Sequence, residues 1–448
     1  MQSRPALAVT QASDGSRARA KSTTTAAWHR ANSYLETLGT RSHAGHASEQ
    51  DVEREPLIPK DNPAAAGAND LHGGSTVTQT TLNSMNTLLG VGLLSLPLGF
   101  LYAGWLIGSL LLLTFALLTF YTAKLLARCM DSDPTCRSYI DIASRAYGPR
   151  GRLITIFLFN LITITACVAL VILFADAMFA LIPDLTRTQW KLYPGHWGLR
   201  LHGCARLAGR IWLRWTDGSL LHPAYTTLLP QDWSKMPLSL GLLMSPWTAH
   251  AILPNLYRDM AEPAKYGRAM AWAFGSTYLI DVTIAASGYL MYGSDTGDAI
   301  VNNVIRTTNS WALAVALTVL VALMPVSKVP LLSRPLVVMA EYAFGLVSDE
   351  QQESKNLLVH LLRCGVRILW VVILIAAAIM APDLGIVMAF MGSAMCFTIA
   401  IILPLLFYLR IFAPKLSAAK KSVLVVLLVA SSISALVGTV WACGFGSG

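Results

Sequence analysis

The chain has 448 residues, of which 54% are hydrophobic and 13% charged, and its mean hydropathy is +0.52. So large an apolar excess excludes an ordinary soluble domain. The net charge of +9 does not point to nucleic acid, because Lys and Arg sit mostly in the N-terminal tail and between apolar segments, as the positive-inside rule predicts.

Residues 1–74 are rich in Ser, Ala, Thr, Gly and charge and lack an apolar h-region, so they read as a disordered cytosolic tail without a signal peptide. Within it, "EREPLI" places Glu53 ahead of Leu57 and Ile58 with the spacing of an acidic dileucine sorting motif. A sorting adaptor would take the two aliphatic side chains in a pocket and pair the upstream acid. The alternative is plain solvated tail.

From Val77 onward nine apolar segments follow, at about 77–101, 103–127, 152–182, 237–256, 269–292, 310–327, 360–381, 384–409 and 422–443. Each approaches the roughly twenty residues needed to cross a bilayer core. The expected fold class is therefore an all-α polytopic protein with the lipid bilayer as its solvent. Charge in the connections alternates. Residues 100–104 carry no Lys or Arg, 128–151 carry Arg128, Arg137, Arg145 and Arg150, and 257–268 carry Arg258, Lys265 and Arg268. The pattern continues to Arg410, Lys415, Lys420 and Lys421, and it predicts a cytosolic N-terminus. The seven cysteines show neither a CxxC nor a paired histidine spacing, so no metal, no cofactor and no disulfide framework is expected.

One connection breaks the alternation. Residues 183–236 should face away from the cytosol, yet they hold Arg187, Lys191, Arg200, Arg206, Arg210 and Arg214 mixed with Trp and Gly, and no window long enough to span. Residues 192–215 are the anomalous core of this stretch.

Two apolar segments carry helix breakers. The first is "LLGVGLLSLPLGF", with Gly90, Gly92 and Pro97; the second is "LGLLMSPWTAHAILPNLY", with Gly241, Ser245, Pro246 and Pro254. Taken alone, Gly90 and Gly92 suit close helix packing as well as they suit an interruption. Two interruptions in matched halves, however, are the sequence pointer to a transporter site at the bilayer midplane. Thr81, Asn83, Asn86 and Thr87, which precede the first break, are expected to face a cavity. Where a helix unwinds, the N–H groups that begin its second half can hold a carboxylate, and the carbonyls that end its first half can hold an ammonium. On this argument Gly92, Leu93, Leu94 and Ser95 meet the carboxylate of an amino acid, while carbonyls near Leu89, Gly90, Leu243 and Met244 meet its amine, with Ser245 beside them. Glycine would leave the ligand's place empty.

Other polar residues at membrane depth are candidates. His250 in the second broken segment is a proton-coupling candidate, with a histidine bonded to free backbone as the alternative. Asp281, in mid-segment, has a proton or a packing role, whereas Asp176 near a helix end is expected to reach water. Asn160, Thr163, Thr165 and Thr318 would line the cavity or bond their own helix carbonyls.

The stretches "TLNSMNTLLGVGLLSLPLGF", "PLSLGLLMSPWTAHAILPNLYRDM", "KVPLL" and "MAFMGSAMCFTIAIILPLLFYLRIF" resemble the first, sixth, eighth-to-ninth and tenth helices of fungal vacuolar transporters in the amino acid/auxin permease family. The resemblance covers about 75–190 and 218–443. It implies a leucine-transporter-like fold of inverted repeats, with residues 75–443 forming the transporter domain. It also implies movement of neutral amino acids across the vacuolar membrane, coupled to protons. The chain departs from the family by lacking the fourth and fifth helices, which residues 192–215 replace. No enzyme is expected, since no HExxH or paired Ser and His appears, and no filter loop suggests a channel. The alternative functions are an amino acid sensor with little flux and an inactive copy.

Overall fold

The computed structural model describes residues 74–133, 135–181, 223–307, 311–344, 346, 357–381 and 383–445. The sorting motif Glu53, Leu57 and Ile58, and the anomalous segment 192–215 with its cations, lie outside these residues. Contacts divide the chain into two units, one of residues 71–331 with 374–448 and another containing 332–373. Among the described residues the regular secondary structure is helical, apart from one isolated bridge, Ser75 to Met260.

In the first unit, α1 (Val77–Leu88) begins at a capping box: Gln79 N–H donates to Thr76 Oγ1 and Thr76 N–H donates to Gln79 Oε1, which satisfies free donors of the first turn. A 3₁₀ turn, Val91–Ser95, follows, and α2 (Leu96–Asp131) resumes with Pro97 in its first turn, where no N–H is required. Then come α3 (Tyr139–Leu181), α4 (Met236–Met244), α5 (Leu253–Arg258), α6 (Tyr266–Tyr292), α7 (Ile300–Thr307) and α8 (Trp311–Ala343). Along the chain they are followed by α9 (Leu357–Met380), most of which belongs to the second unit, and by α10 (Leu384–Phe390), α11 (Leu403–Phe412) and α12 (Ala418–Phe445). Between α10 and α11 the chain is π-helical over Met391–Cys396 and Thr398–Ile402.

Seven helices among the described residues are long and apolar enough to cross a membrane: Val91–Asp131, Tyr139–Phe179, Pro263–Asp295, Val315–Glu341, Val359–Met380, Leu384–Lys415 and Ala418–Gly444. The architecture is that of a polytopic helical membrane protein. The stretch Val91–Asp131 has 41 residues, about 60 Å at 1.5 Å per residue, twice the span of the hydrocarbon core. It folds back at Gly104, whose φ of 71° only glycine adopts freely. The reversal shows in its register on α6. Ser84 and Pro97 meet Met270 and Gly288 in ascending order, whereas Trp105 and Phe120 meet Tyr289 and Phe274 in descending order. The residues of the reversal are covered by an extended segment. Trp105 and Leu106, starting the second leg, donate their N–H groups to the carbonyls of Thr227 and Leu228 at 3.1 and 3.0 Å. A Cβ on Gly104 would lie 2.7 Å from the Leu229 carbonyl carbon.

The core of this unit is α4 packed against α2, α12 and the π-helical segment. Gly241 and Gly392 face each other: a Cβ on Gly241 would stand 1.9 Å from Ala389 O, and one on Gly392 1.8 Å from Gly241 O. Gly241 was expected to help break its helix. It lies inside α4 instead, and what it permits is close approach of two backbones.

In the second unit, Arg367 Nε lies 2.9 Å from Glu341 Oε1, and the Arg363 guanidinium donates to Leu346 O at 2.6 and 2.9 Å. These contacts tie the end of α8 to the start of α9.

Candidate functional site

The two interrupted segments lie in the first unit and meet at their interruptions. Helix α1 closes with Leu89 N–H on Met85 O, after which Gly90 N–H donates to Leu88 O and Leu93 N–H to Gly90 O. On the other side α4 ends with Ser245 N–H on Gly241 O; Trp247 N–H then donates to Met244 O, and a 3₁₀ turn, Ala249–Ala251, leads into α5 with Pro254 in its first turn. A Cβ on Gly92 would lie 2.6 Å from Ser245 Oγ and 2.8 Å from Pro246 N. Gly92 therefore makes room for the second break, where the sequence reading had assigned that room to a ligand. Gly90 differs. A Cβ there would meet nothing within 4 Å, so open space lies beside the end of α1.

Gly92, Leu93, Leu94 and Ser95 are buried, as are Leu243, Met244 and Ser245. The serines do not aim free hydroxyls into the site, since Ser95 Oγ donates to Gly92 O at 3.0 Å and Ser245 Oγ to Leu242 O at 2.8 Å. Both bond carbonyls three residues back and brace the backbone where helical bonds end. Thr163 Oγ1 donates to Phe159 O in its own helix, and Thr165 Oγ1 to Leu161 O, so these two take the local alternative. Asn160 is half-buried and Thr318 fully buried. On α1 the buried face is Thr80, Ser84 and Leu88, which packs toward α6, while Asn83 and Asn86 lie on the exposed face and Thr81 and Thr87 are half-buried. The spacing of four makes this division, since a helix cannot turn both sets of residues inward.

His250 is fully buried. Its Nε2 lies 3.0 Å from both Thr122 Oγ1 and Thr119 O of α2, and Thr122 Oγ1 also donates to Ala400 O at 2.7 Å. One hydroxyl thus joins the second break, α2 and the π-helical segment. The π-helical geometry helps, because its wider turn frees carbonyls for side-chain donors; Tyr139 OH takes Ile399 O at 2.7 Å in the same way. His250 Nδ1 has no partner among the described residues.

Asp281 is buried, and neither carboxylate oxygen has a partner among the described residues. Asp176 is 3% exposed, which corrects the expectation that it reaches water, because α7 packs over that end of α3. Sequence reasoning missed Trp247, one of the largest fully buried side chains, whose indole stacks on Phe274 at 5.8 Å and 13° and whose Nε1 is unpaired. It also missed Thr119 and Thr122. The signal was available in two hydroxyl residues three apart on a mostly apolar span, which a helix places on one face.

On the opposite side of the unit, the outer ends of both broken helices are clamped together. Ser75 N–H donates to Asp259 O at 2.6 Å and Ala261 N–H to Ser75 O at 3.1 Å. Arg258 donates to the carbonyls of Met130, Asp133 and Cys136, where cations suit the end of α2.

A family model described as transmembrane amino acid transporter protein matches residues 73–200 and 214–443. The amino acid transporter AVT1C of Arabidopsis thaliana is 28% identical over 393 residues, covering 82% of this chain and 69% of the relative. The Arabidopsis thaliana transporter AVT1I is 28% identical over 370 residues, or 76% of this chain and 87% of the relative. The vesicular inhibitory amino acid transporter of Macaca fascicularis is 25% identical over 403 residues, or 81% and 75%.

Proposed function

The chain belongs to the transmembrane amino acid transporter family, and on that premise we propose that it is a secondary active transporter of neutral amino acids, driven by protons across the vacuolar membrane. The observation that carries the mechanism is the meeting of two broken helices, with Gly92 against Ser245 and Pro246 and open space beside Gly90. Broken helices present backbone groups where a spanning helix would consume them.

In the proposed mode the amino acid sits beside Gly90. Its carboxylate faces N–H groups of the Gly92, Leu93, Leu94 and Ser95 turn at the start of α2, where the helix dipole is positive. Its ammonium faces carbonyls at the ends of α1 and α4, near Leu89, Gly90, Leu243 and Met244, close to Ser245; Thr163 lines the approach. Such a site reads the part common to all amino acids. The inverted-repeat fold and the cytosolic tail belong to the same proposal, the latter supported by the alternation of basic connections. The vacuolar placement is supported by the dileucine pattern at Glu53, Leu57 and Ile58, and a vesicular relative suits an internal compartment.

The test is ATP-dependent uptake of radiolabelled alanine, leucine and glutamine into vacuolar vesicles containing the chain, with and without a protonophore. Uptake that collapses with the protonophore is the expected result. Uptake that survives it refutes proton coupling, and binding without uptake favours a sensor.

A further inference from the structure

Asp281 lies in mid-helix on α6 with no exposed surface and, among the described residues, no partner for either oxygen. Helical geometry fixes where it points. Met270, Thr277, Asp281 and Gly288 are spaced by seven, four and seven residues and share one face of α6. Met270 Sδ receives the Ser84 hydroxyl from α1 at 3.9 Å, and a Cβ on Gly288 would press on Pro97 at 2.5 Å. The face between those contacts looks at residues 85–96, which hold the first break, and the Val91–Ser95 turn packs on α6. Thr277, one turn from Asp281, is likewise fully buried with its hydroxyl unpaired.

An ionised carboxylate buried without a partner is costly, so its charge must be balanced in this arrangement. The cations of the two helices that meet here, Arg268 on α6 and Lys124 and Arg128 on α2, are all exposed, whereas Asp281 is fully buried. Neither α1 nor the Val91–Ser95 turn has an ionisable side chain, and α2 between Leu96 and Phe120 has only Tyr102. On α6 itself the neighbours are Tyr278 and Tyr289, and the turns at its two ends carry Lys265 and Asp295, well away from mid-helix. From the second break, His250 reaches the same α6 face at Phe274, with Nε2 already held by Thr122 and Thr119 O. A hard cation asks for about six oxygens. This face supplies the two of Asp281 and the one of Thr277, and even with a second bond to each of Gly90 O and Gly92 O, which already accept from Leu93 N–H and Ser95 Oγ, the total reaches only five.

Resting on the transport reading above, we propose that Asp281, and not His250, is the residue that carries the coupling proton. The carboxylate accepts a proton from water on one side of the membrane, becomes a neutral carboxylic acid against the first break, and returns that proton to water on the other side. No other bond forms or breaks. The neutral acid lets α6 close on the broken helix, and loss of the proton makes that closure costly, which ties protonation to the conformation of the substrate site.

Two measurements on vesicles bearing the full chain separate the possibilities: accumulation of radiolabelled alanine, leucine and glutamine driven by a pH step at clamped voltage, and exchange of the same amino acids with no gradient. One pH unit and one proton support about tenfold accumulation, since a unit is a factor of ten in proton activity. Asp281→Asn is expected to lose the pH-driven accumulation and keep exchange. Accumulation at the wild-type level in this variant overturns the proposal, and so does loss of exchange in a folded variant, which would make Asp281 a substrate ligand. If Asp281→Asn does not fold, Asp281→Glu serves: a shifted pH profile of accumulation with exchange retained supports the proposal, and an unshifted one overturns it. Wild-type accumulation driven by a sodium gradient in place of the pH step also overturns it. A wild-type chain that neither accumulates nor exchanges fails the transport reading itself, a result distinct from all of these.

Discussion

At Gly92 a hydrogen stands where any other residue would push into Ser245 and Pro246. Gly92→Val is therefore expected to force the two breaks apart and to abolish amino acid uptake, checked in the vesicle assay against the amount of the chain in the vesicles. Gly90 provides the control with the opposite sign for packing. Its Cβ position is empty and its φ of −104° is open to any residue, so Gly90→Ala should fold with an unchanged melting temperature. If the empty space holds substrate, the same variant should weaken substrate binding, as read by competition against labelled alanine. Thr122 shows how much one hydroxyl can hold, since it serves His250 and Ala400 O at once. Thr122→Val keeps the volume and removes the bond, which should cost about 1–3 kcal/mol because buried polar partners are left unpaired. A lowered unfolding temperature in detergent is the readout.

At the scale of elements, the breaks owe their position to local chemistry and their pairing to packing. Pro97 and Pro254 each open a helix, where a missing N–H costs nothing, so the prolines mark the resumption of a helix after its interruption. Among the described glycines, those that leave least room for a side chain lie elsewhere, between α4 and the π-helical segment at Gly241 and Gly392. Gly241→Ala puts a methyl group on Ala389 O and should destabilise by about 1–3 kcal/mol, the usual range for overpacking. Gly275→Ala, whose Cβ position is empty, should leave the melting temperature unchanged and shows that the effect belongs to the site.

At the scale of the whole molecule, the family match omits residues 201–213, inside the basic segment 192–215 that the sequence sets apart. Six cations between residues 187 and 214, in a connection expected to face away from the cytosol, run against the charge pattern kept by the connections around it. We propose that this segment stands in place of two family helices through an error in the gene model or read-through. Sequencing the mature transcript is expected to show a different coding stretch there; a message that encodes residues 192–215 unchanged refutes this and makes an inactive copy the better account.

What the sequence determined by itself is the class of molecule and the identity of the two weak helices. Spans of twenty apolar residues and clustered Gly and Pro are local properties, written in consecutive letters and unaffected by what packs against them. Tertiary structure alone decided what those letters do. Gly90 and Gly92 look alike in sequence, yet one faces open space and the other the backbone of a segment about 150 residues away; Gly241 reads as a breaker and serves as a contact. Likewise His250 and Asp281 are both ionisable groups at membrane depth. One is held by Thr119 and Thr122 and the other has no partner among the described residues, because hydrogen bonding depends on which helices lie alongside, and no local pattern records that.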